Sequence, residues 1–217
     1  MTVVALSAAY GAGGSHIGPA LADRLDVPFV DRGIALAVAE RLEVPFDEAL
    51  AHDEPPGESL LQRLLSGYLG ADTGAPAPLP ADIVSAEDFH KASREVLLVQ
   101  AATGEGVILG RGGVATLRDD PGVLRVRLTG PVEARIEQAV RLGARDRETA
   151  ERALRRWDRA HAEYLRQFYG VDVNDTGLYH LTIDATVFAP EVVVKMIETA
   201  VAALPTARRG ARSAAER

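Results

Sequence analysis

Six residues near the amino terminus, Tyr10-Gly11-Ala12-Gly13-Gly14-Ser15, constrain this chain more than any other stretch. Glycines so closely spaced suit no helix or strand interior, because glycine loses more backbone freedom on ordering than any other residue. Upstream, Thr2-Val3-Val4-Ala5-Leu6-Ser7 is an apolar run, β-branched at its start, which is the pattern of a buried parallel strand. Downstream, Ile17, Ala20, Leu21, Ala22 and Leu25 recur at helical spacing, and Val27-Pro28-Phe29-Val30-Asp31 reads as a second strand. A glycine turn leading from a buried strand into a helix aims free N–H groups, and the positive end of the helix dipole, at one spot. Such a spot suits a phosphate.

The rest of the chain repeats the alternation. Residues 33–42, 45–52 and 59–69 read as helices, and Leu60, Leu61, Leu64 and Leu65 give the third an apolar stripe that offers a pairing surface for a homodimer. The segment 70–82, dominated by Pro, Gly and Ala, has no periodicity; it reads either as a plain surface loop or as a flap over a substrate. A helix is expected over 87–103, a strand over 106–110 with Arg111-Gly112-Gly113 at its carboxyl end, and a strand over 123–128. Pro131 is expected at the N1 position of the next helix. Then come a long helix over 147–168, with Ala150, Ala153, Leu154, Trp157, His161, Tyr164 and Phe168 on one face, a strand over 179–183 and a helix over 191–204. Trp157 and His161 are read as packed residues of that face, His161 with a hydrogen-bond partner.

Strands separated by helices call for right-handed crossovers and a parallel sheet covered on both faces. Ligands in such sheets sit at the carboxyl ends of the strands. Residues 11–15, Asp31-Arg32 and Arg111 all follow strands directly and converge there. With 217 residues the chain is ample for one domain, taken as 1–204, while the Ala/Arg-rich stretch 205–217 is expected to be a solvated, disordered tail. A net charge of −7 argues against a general nucleic-acid binder, and the lack of cysteine rules out disulfides and thiolate metal sites and fits a reducing cytoplasm. No apolar run approaches the roughly 20 residues of a membrane span, and no secretory leader is read at the start.

The glycine loop admits two phosphate-binding readings. The dinucleotide pattern G-x-G-x-x-G is met at Gly11 and Gly13, with Asp31 at a suitable distance for a ribose, but His16 occupies the third glycine position. The Walker pattern G-x-x-x-x-G-K-[ST] aligns Gly13 with its second glycine and Ser15 with its hydroxyl, but places Ala8 at the first glycine and Gly14 at the lysine. Neither consensus is complete.

A set of short motifs in order resembles the cytidylate-kinase-like family of P-loop proteins. The loop from Ala8 to Ile17 and the strand Val27-Pro28-Phe29-Val30-Asp31-Arg32 are similar to that family's Y-G-S-G-G loop and P-F-Y-D strand. Val107-Ile108-Leu109-Gly110-Arg111-Gly112 is similar to V-I-I-G-R-G. Asp158-Arg159-Ala160-His161-Ala162-Glu163-Tyr164 resembles the lid motif D-K-x-R-x-x-Y, and Tyr179-His180-Leu181-Thr182-Ile183-Asp184-Ala185-Thr186 resembles Y-D-L-T-I-N-T.

The resemblance implies a three-layer α/β/α P-loop fold of nucleoside-monophosphate-kinase type, with a five-stranded parallel sheet. An acceptor-side helical region (33–105) and a helical lid (141–170) complete it. It implies ATP and Mg²⁺ as cofactors, with Gly11, Ala12, Gly13, Gly14, Ser15 and His16 cradling the donor phosphates and Ser15 coordinating the metal. Asp31, Arg32, Arg94 and Arg111 would bind the acceptor, and Arg111, Arg155, Arg156 and Arg159 would serve the transfer. Those residue types suit the chemistry on their own account. Phosphoryl transfer needs positioning and positive charge around the moving group, and the arginine fork matches phosphate oxygens. Gly14 in place of the Walker lysine, and His161 and His180 within family motifs, favour a second reading. On it, a catalytically weak protein uses the same cleft to sense or scaffold.

Overall fold

The computed structural model describes residues 2–30, 86–110 and 112–204. The expected helices within 33–69, the 70–82 segment, the tail, and Asp31, Arg32 and Arg111 lie outside the described residues. β1 (Thr2–Ala8), β2 (Phe29–Val30), β3 (Glu105–Leu109), β4 (Val123–Thr129) and β5 (Leu181–Asp184) form one sheet in the order β2-β3-β1-β4-β5. Every neighbouring pair is parallel, as the alternation requires. β1 lies at the centre, which is why it reads as an unbroken apolar run.

Helices cover both faces. Val4, Leu6, Val107, Leu124, Val126, Leu128 and Ile183 pack with Ile17 and Leu21 of α1 (Gly14–Leu25) and with Ile197 and Val201 of the final helix, α6 (Pro190–Ala203). The alternate residues Val3, Ala5, Ile108 and Val123 meet Leu97 of α2 (Ala86–Ala102), Val114 of α3 (Gly113–Thr116) and Leu165 of α5 (Arg147–Tyr169). The period of two along each strand thus sorts side chains between two cores. It also places Ser7, Arg125 and Arg127 on the second face.

Two expectations are corrected. Pro131 is the N-cap of α4 (Val132–Arg141) rather than its first helical residue, because its ψ of 143° is still extended. On α5 the buried residues are Ala150, Leu154, Ala160 and Leu165, and Trp157 is 37% exposed. A long helix crossing two different surfaces drifts out of one fixed stripe, so the predicted face does not persist along its length. α5 is well delimited. The Asp146 carboxylate accepts the Thr149 N–H at 2.7 Å, which holds its pKa below the usual range, and Gly170 closes the helix in the left-handed region.

Candidate active site

The glycine loop turns between β1 and α1 with Gly11 and Gly13 at φ of 76° and 77°, conformations that only glycine adopts without strain. Gly11 lies so close to α4 that a Cβ there would sit 2.2 Å from the Arg135 carbonyl oxygen. The Ile17 and His16 N–H groups return to the Gly13 carbonyl, and Ala12 N–H to that of Ala9. Among the described residues the N–H groups of Gly11, Gly13, Gly14 and Ser15 meet no acceptor, so the loop presents the cluster of donors its sequence implies. Ser15 and His16 are exposed beside it, the Ser15 hydroxyl 3.3 Å from His16 Nδ1.

A buried arginine braces this loop. Arg135, 6% exposed, donates to the carbonyls of Tyr10 (2.9 Å) and Gly130 (3.0 Å) and pairs with Asp158 of α5 at 2.8 Å. Asp158 also accepts the Tyr10 N–H at 3.1 Å. One carboxylate therefore ties the long helix to both the loop and α4. Asp158 belongs to the motif read as a lid, but its role as the loop's anchor was not visible in the sequence, because its partners lie far away along the chain.

The sequence-predicted arginines separate into groups. Arg155, Arg156 and Arg159 all stand exposed on α5, with Arg159 bonded to Glu163 at 2.8 Å. Arg152 pairs with Glu148 on the same helix. Among the described residues Arg155 and Arg156 have no ion-pair partner, which leaves two cations available to an incoming anion. Arg94 on α2 is exposed, and the pKa of the Tyr169 phenol is raised by burial, with the Thr116 hydroxyl, Tyr164 and the Arg94 charge partly offsetting it. Tyr169 accepts from the Thr116 hydroxyl at 2.9 Å and packs on Gly112, where a Cβ would lie 2.5 Å from its ring. His180 and Asp184, departures from the family motif, do local work: His180 Nδ1 accepts the Arg125 N–H, and Asp184 accepts from the Thr186 hydroxyl and N–H.

Between β1, β4 and α5 lies a polar group that the sequence reading passed over. Arg127, 8% exposed, donates to Ser7 Oγ at 2.7 Å. Burial lowers the Arg127 pKa, and the Tyr179 phenol and Asp158 partly offset it. Tyr179 itself donates to the Val173 carbonyl at 2.8 Å. His161 faces this group and is held neutral: burial first, then the Arg127 charge, lower its pKa to about 4. Among the described residues it has no hydrogen-bond partner, contrary to expectation. The signal that would have found Arg127 is the pair of arginines at alternate positions of an otherwise apolar strand.

The low pKa of His161 has a measurable consequence. An unfolded chain takes up this proton near pH 6.5 and the folded one only near pH 4, so acid favours unfolding between the two values. Stability is expected to fall by up to about 3 kcal/mol as pH drops through that window, and to be insensitive to this group above it. Urea unfolding across that pH range, with His161→Phe as the comparison, measures it. Equal pH slopes in the two proteins would refute the assignment.

Among the described residues no cluster of three His, Asp or Glu side chains is placed to hold a metal. The donor set fits Mg²⁺ only as magnesium is usually held with nucleotides, through one hydroxyl, here that of Ser15, together with substrate phosphates and water. No helix among the described residues is long and apolar enough to cross a membrane.

A parallel sheet with β1 at its centre and a glycine loop that leads from β1 into α1 define an α/β fold of the P-loop class. More narrowly, the chain belongs to the cytidylate kinase-like family, whose pattern matches residues 3–187. A cytidylate kinase of Aeropyrum pernix is 30% identical over 102 residues, which span 46% of this chain and 58% of that protein. An uncharacterized protein of Eubacterium ventriosum has the same fold, with a TM-score of 0.64 at 15% identity over 94% of this chain and 99% of the other. The shikimate kinase of Bacteroides thetaiotaomicron is a looser likeness, with a TM-score of 0.49 at 15% identity over 91% and 96% of the two chains.

Proposed function

We propose that this protein is a phosphotransferase that moves the γ-phosphoryl group of ATP, with Mg²⁺, to a nucleoside monophosphate such as CMP or a similar small acceptor. The observation that carries the reading is the set of N–H groups of Gly11, Gly13, Gly14 and Ser15 that meet no acceptor among the described residues, with an exposed Ser15 hydroxyl beside them and, on the helix tied to the loop, Arg155 and Arg156 without an ion-pair partner among the described residues. In this reading residues 11–16 hold the donor phosphates, and Ser15 and the phosphates hold Mg²⁺, which screens their charge. Exposed Val132, Val187 and Phe188, on the segments that follow β4 and β5, offer an apolar rim for the donor base. Asp31, Arg32, Arg94 and Arg111 bind the acceptor, residues 33–105 form its side of the cleft, and Arg155, Arg156 and Arg159 close over the transferred group within the 141–170 lid. An acceptor oxygen forms a bond to the γ-phosphorus as the bond from that phosphorus to the β,γ-bridging oxygen breaks, and ADP leaves with the electron pair. The proposed setting is the cytoplasm, where ATP is available.

The packing of Gly14 favours a second reading, a weak enzyme that binds nucleotide to sense or scaffold. A Cβ at Gly14 would lie 2.5 Å from the Ala8 Cβ, so the loop is built without the side chain that usually bridges the donor phosphates. A coupled ADP-release assay against CMP, dCMP, UMP, AMP and GMP, with calorimetric titration of each nucleotide, separates the two. Turnover with one acceptor is expected, reduced at least about a hundredfold in Arg111→Ala, as befits loss of a charged contact in phosphoryl transfer. Binding without turnover supports the sensor, and absence of both rejects a nucleotide role.

A further inference from the structure

Among the described residues one buried cation, Arg127, has no carboxylate paired with it. Arg127 stands opposite Ser7 in the β1–β4 ladder, close to the carboxyl ends of both strands and on the face that α2 and α5 cover. Its bond to Ser7 Oγ uses one guanidinium N–H, and a guanidinium has five. Among the described residues no carboxylate is within ion-pair distance of it. Asp158, the acid whose charge it feels, is already committed to Arg135 and to the Tyr10 N–H. The remaining nitrogens are not sealed off: among the described residues Ser93 Oγ is the one buried side-chain polar atom without a partner. Arg127 therefore keeps guanidinium donors that are not closed off, on a charge that no carboxylate among the described residues pairs.

We propose that Arg127, with the Ser7 hydroxyl beside it, forms an anion subsite that takes an oxyanion of the acceptor, a phosphate monoester or a carboxylate. A charge taken out of water is costly unless an opposite charge meets it, and the same low-dielectric surroundings strengthen that pairing when it forms. The guanidinium fork suits either oxyanion. His161 fits the arrangement. Where the family motif carries a permanent cation on the lid helix, this chain has a neutral imidazole facing Arg127, so the charge enters from β4 instead. The word acceptor rests on the phosphotransferase reading; the anion subsite does not.

The experiment follows arginine Nε–H signals by ¹⁵N NMR while inorganic phosphate is titrated into the protein, with AMP-PNP and Mg²⁺ saturating the glycine loop. The Arg127 signal is identified by its disappearance in Arg127→Lys. It is expected to move on titration, and Arg127→Met is expected to bind phosphate at least about tenfold more weakly, as the loss of a charge-assisted contact implies. In turnover, Arg127→Met should raise the acceptor KM at least about tenfold with the ATP KM changed less than about twofold. Arg127→Lys should fall between, and Arg127→Met/His161→Arg should recover part of the loss by returning the cation from the lid helix. CMP and a hydroxy acid such as shikimate, compared as acceptors, distinguish a phosphate from a carboxylate occupant. An Arg127 signal unmoved by phosphate, or a folded Arg127→Met with the wild-type acceptor KM, would overturn the subsite and leave Arg127 as an interior tie to Ser7. If Arg127→Met does not fold, the wild-type spectra and Arg127→Lys decide. If no nucleotide binds, the phosphotransferase reading fails, and the same phosphate titration without AMP-PNP still decides the subsite.

Discussion

Placing a lysine at position 14 is expected to damage this protein rather than to restore a missing catalytic group. Gly14 opens α1 and is buried, and any Cβ there would lie 2.5 Å from the Ala8 Cβ and 3.3 Å from Leu109 Cδ1. The Leu109 methyl can turn aside by rotation, but the Ala8 Cβ cannot yield without moving the end of β1. The expected cost of Gly14→Lys is about 3 kcal/mol, at the upper end of what overpacking produces. Gly14→Ala should show most of that loss, because the clash begins at the first carbon. Urea unfolding of both variants, with ATP titration of each, tests this. A Gly14→Lys protein as stable as the parent, with tighter ATP binding, would mean that the loop relaxes to admit the side chain.

Removing Arg135 is expected to have the second large effect. Its guanidinium holds Tyr10 and Gly130 by their carbonyls and neutralises Asp158, which in turn holds the Tyr10 N–H. Breaking a buried pair by deleting one partner typically costs 3–5 kcal/mol, and here the lower end applies, about 3 kcal/mol, because Asp158 keeps some contact with water. Arg135→Met should also raise the ATP KM at least about tenfold, since the loop that presents the phosphate donors loses its anchor. Because the two residues share one network, the double variant Arg135→Met/Asp158→Asn should be clearly more stable than the sum of the single losses predicts. Additive losses would show that the two residues act separately.

The elements that position the site were legible from consecutive residues. The glycine triad fixed the turn because its backbone needs positive φ at Gly11 and Gly13, a requirement that holds wherever such a turn is used. The apolar runs marked the strands, and their alternation with helices implied the parallel sheet that is observed. The ordered motifs carried the family, and through it the candidate phosphate loop.

What the sequence left open was which charges meet. Tyr10 and Asp158 are 148 residues apart, and Ser7 and Arg127 are 120 apart, so no local pattern distinguishes these bonds from solvated side chains. Trp157 illustrates the same limit in reverse: a helical stripe predicted it inward, and the surface on which α5 settles leaves it half open. Local conformational preference is written in neighbouring residues. Burial, and with it the lowered pKa of His161, the brace at Arg135 and the charge of Arg127 that no described carboxylate pairs, is decided only when distant segments exclude water from the same space.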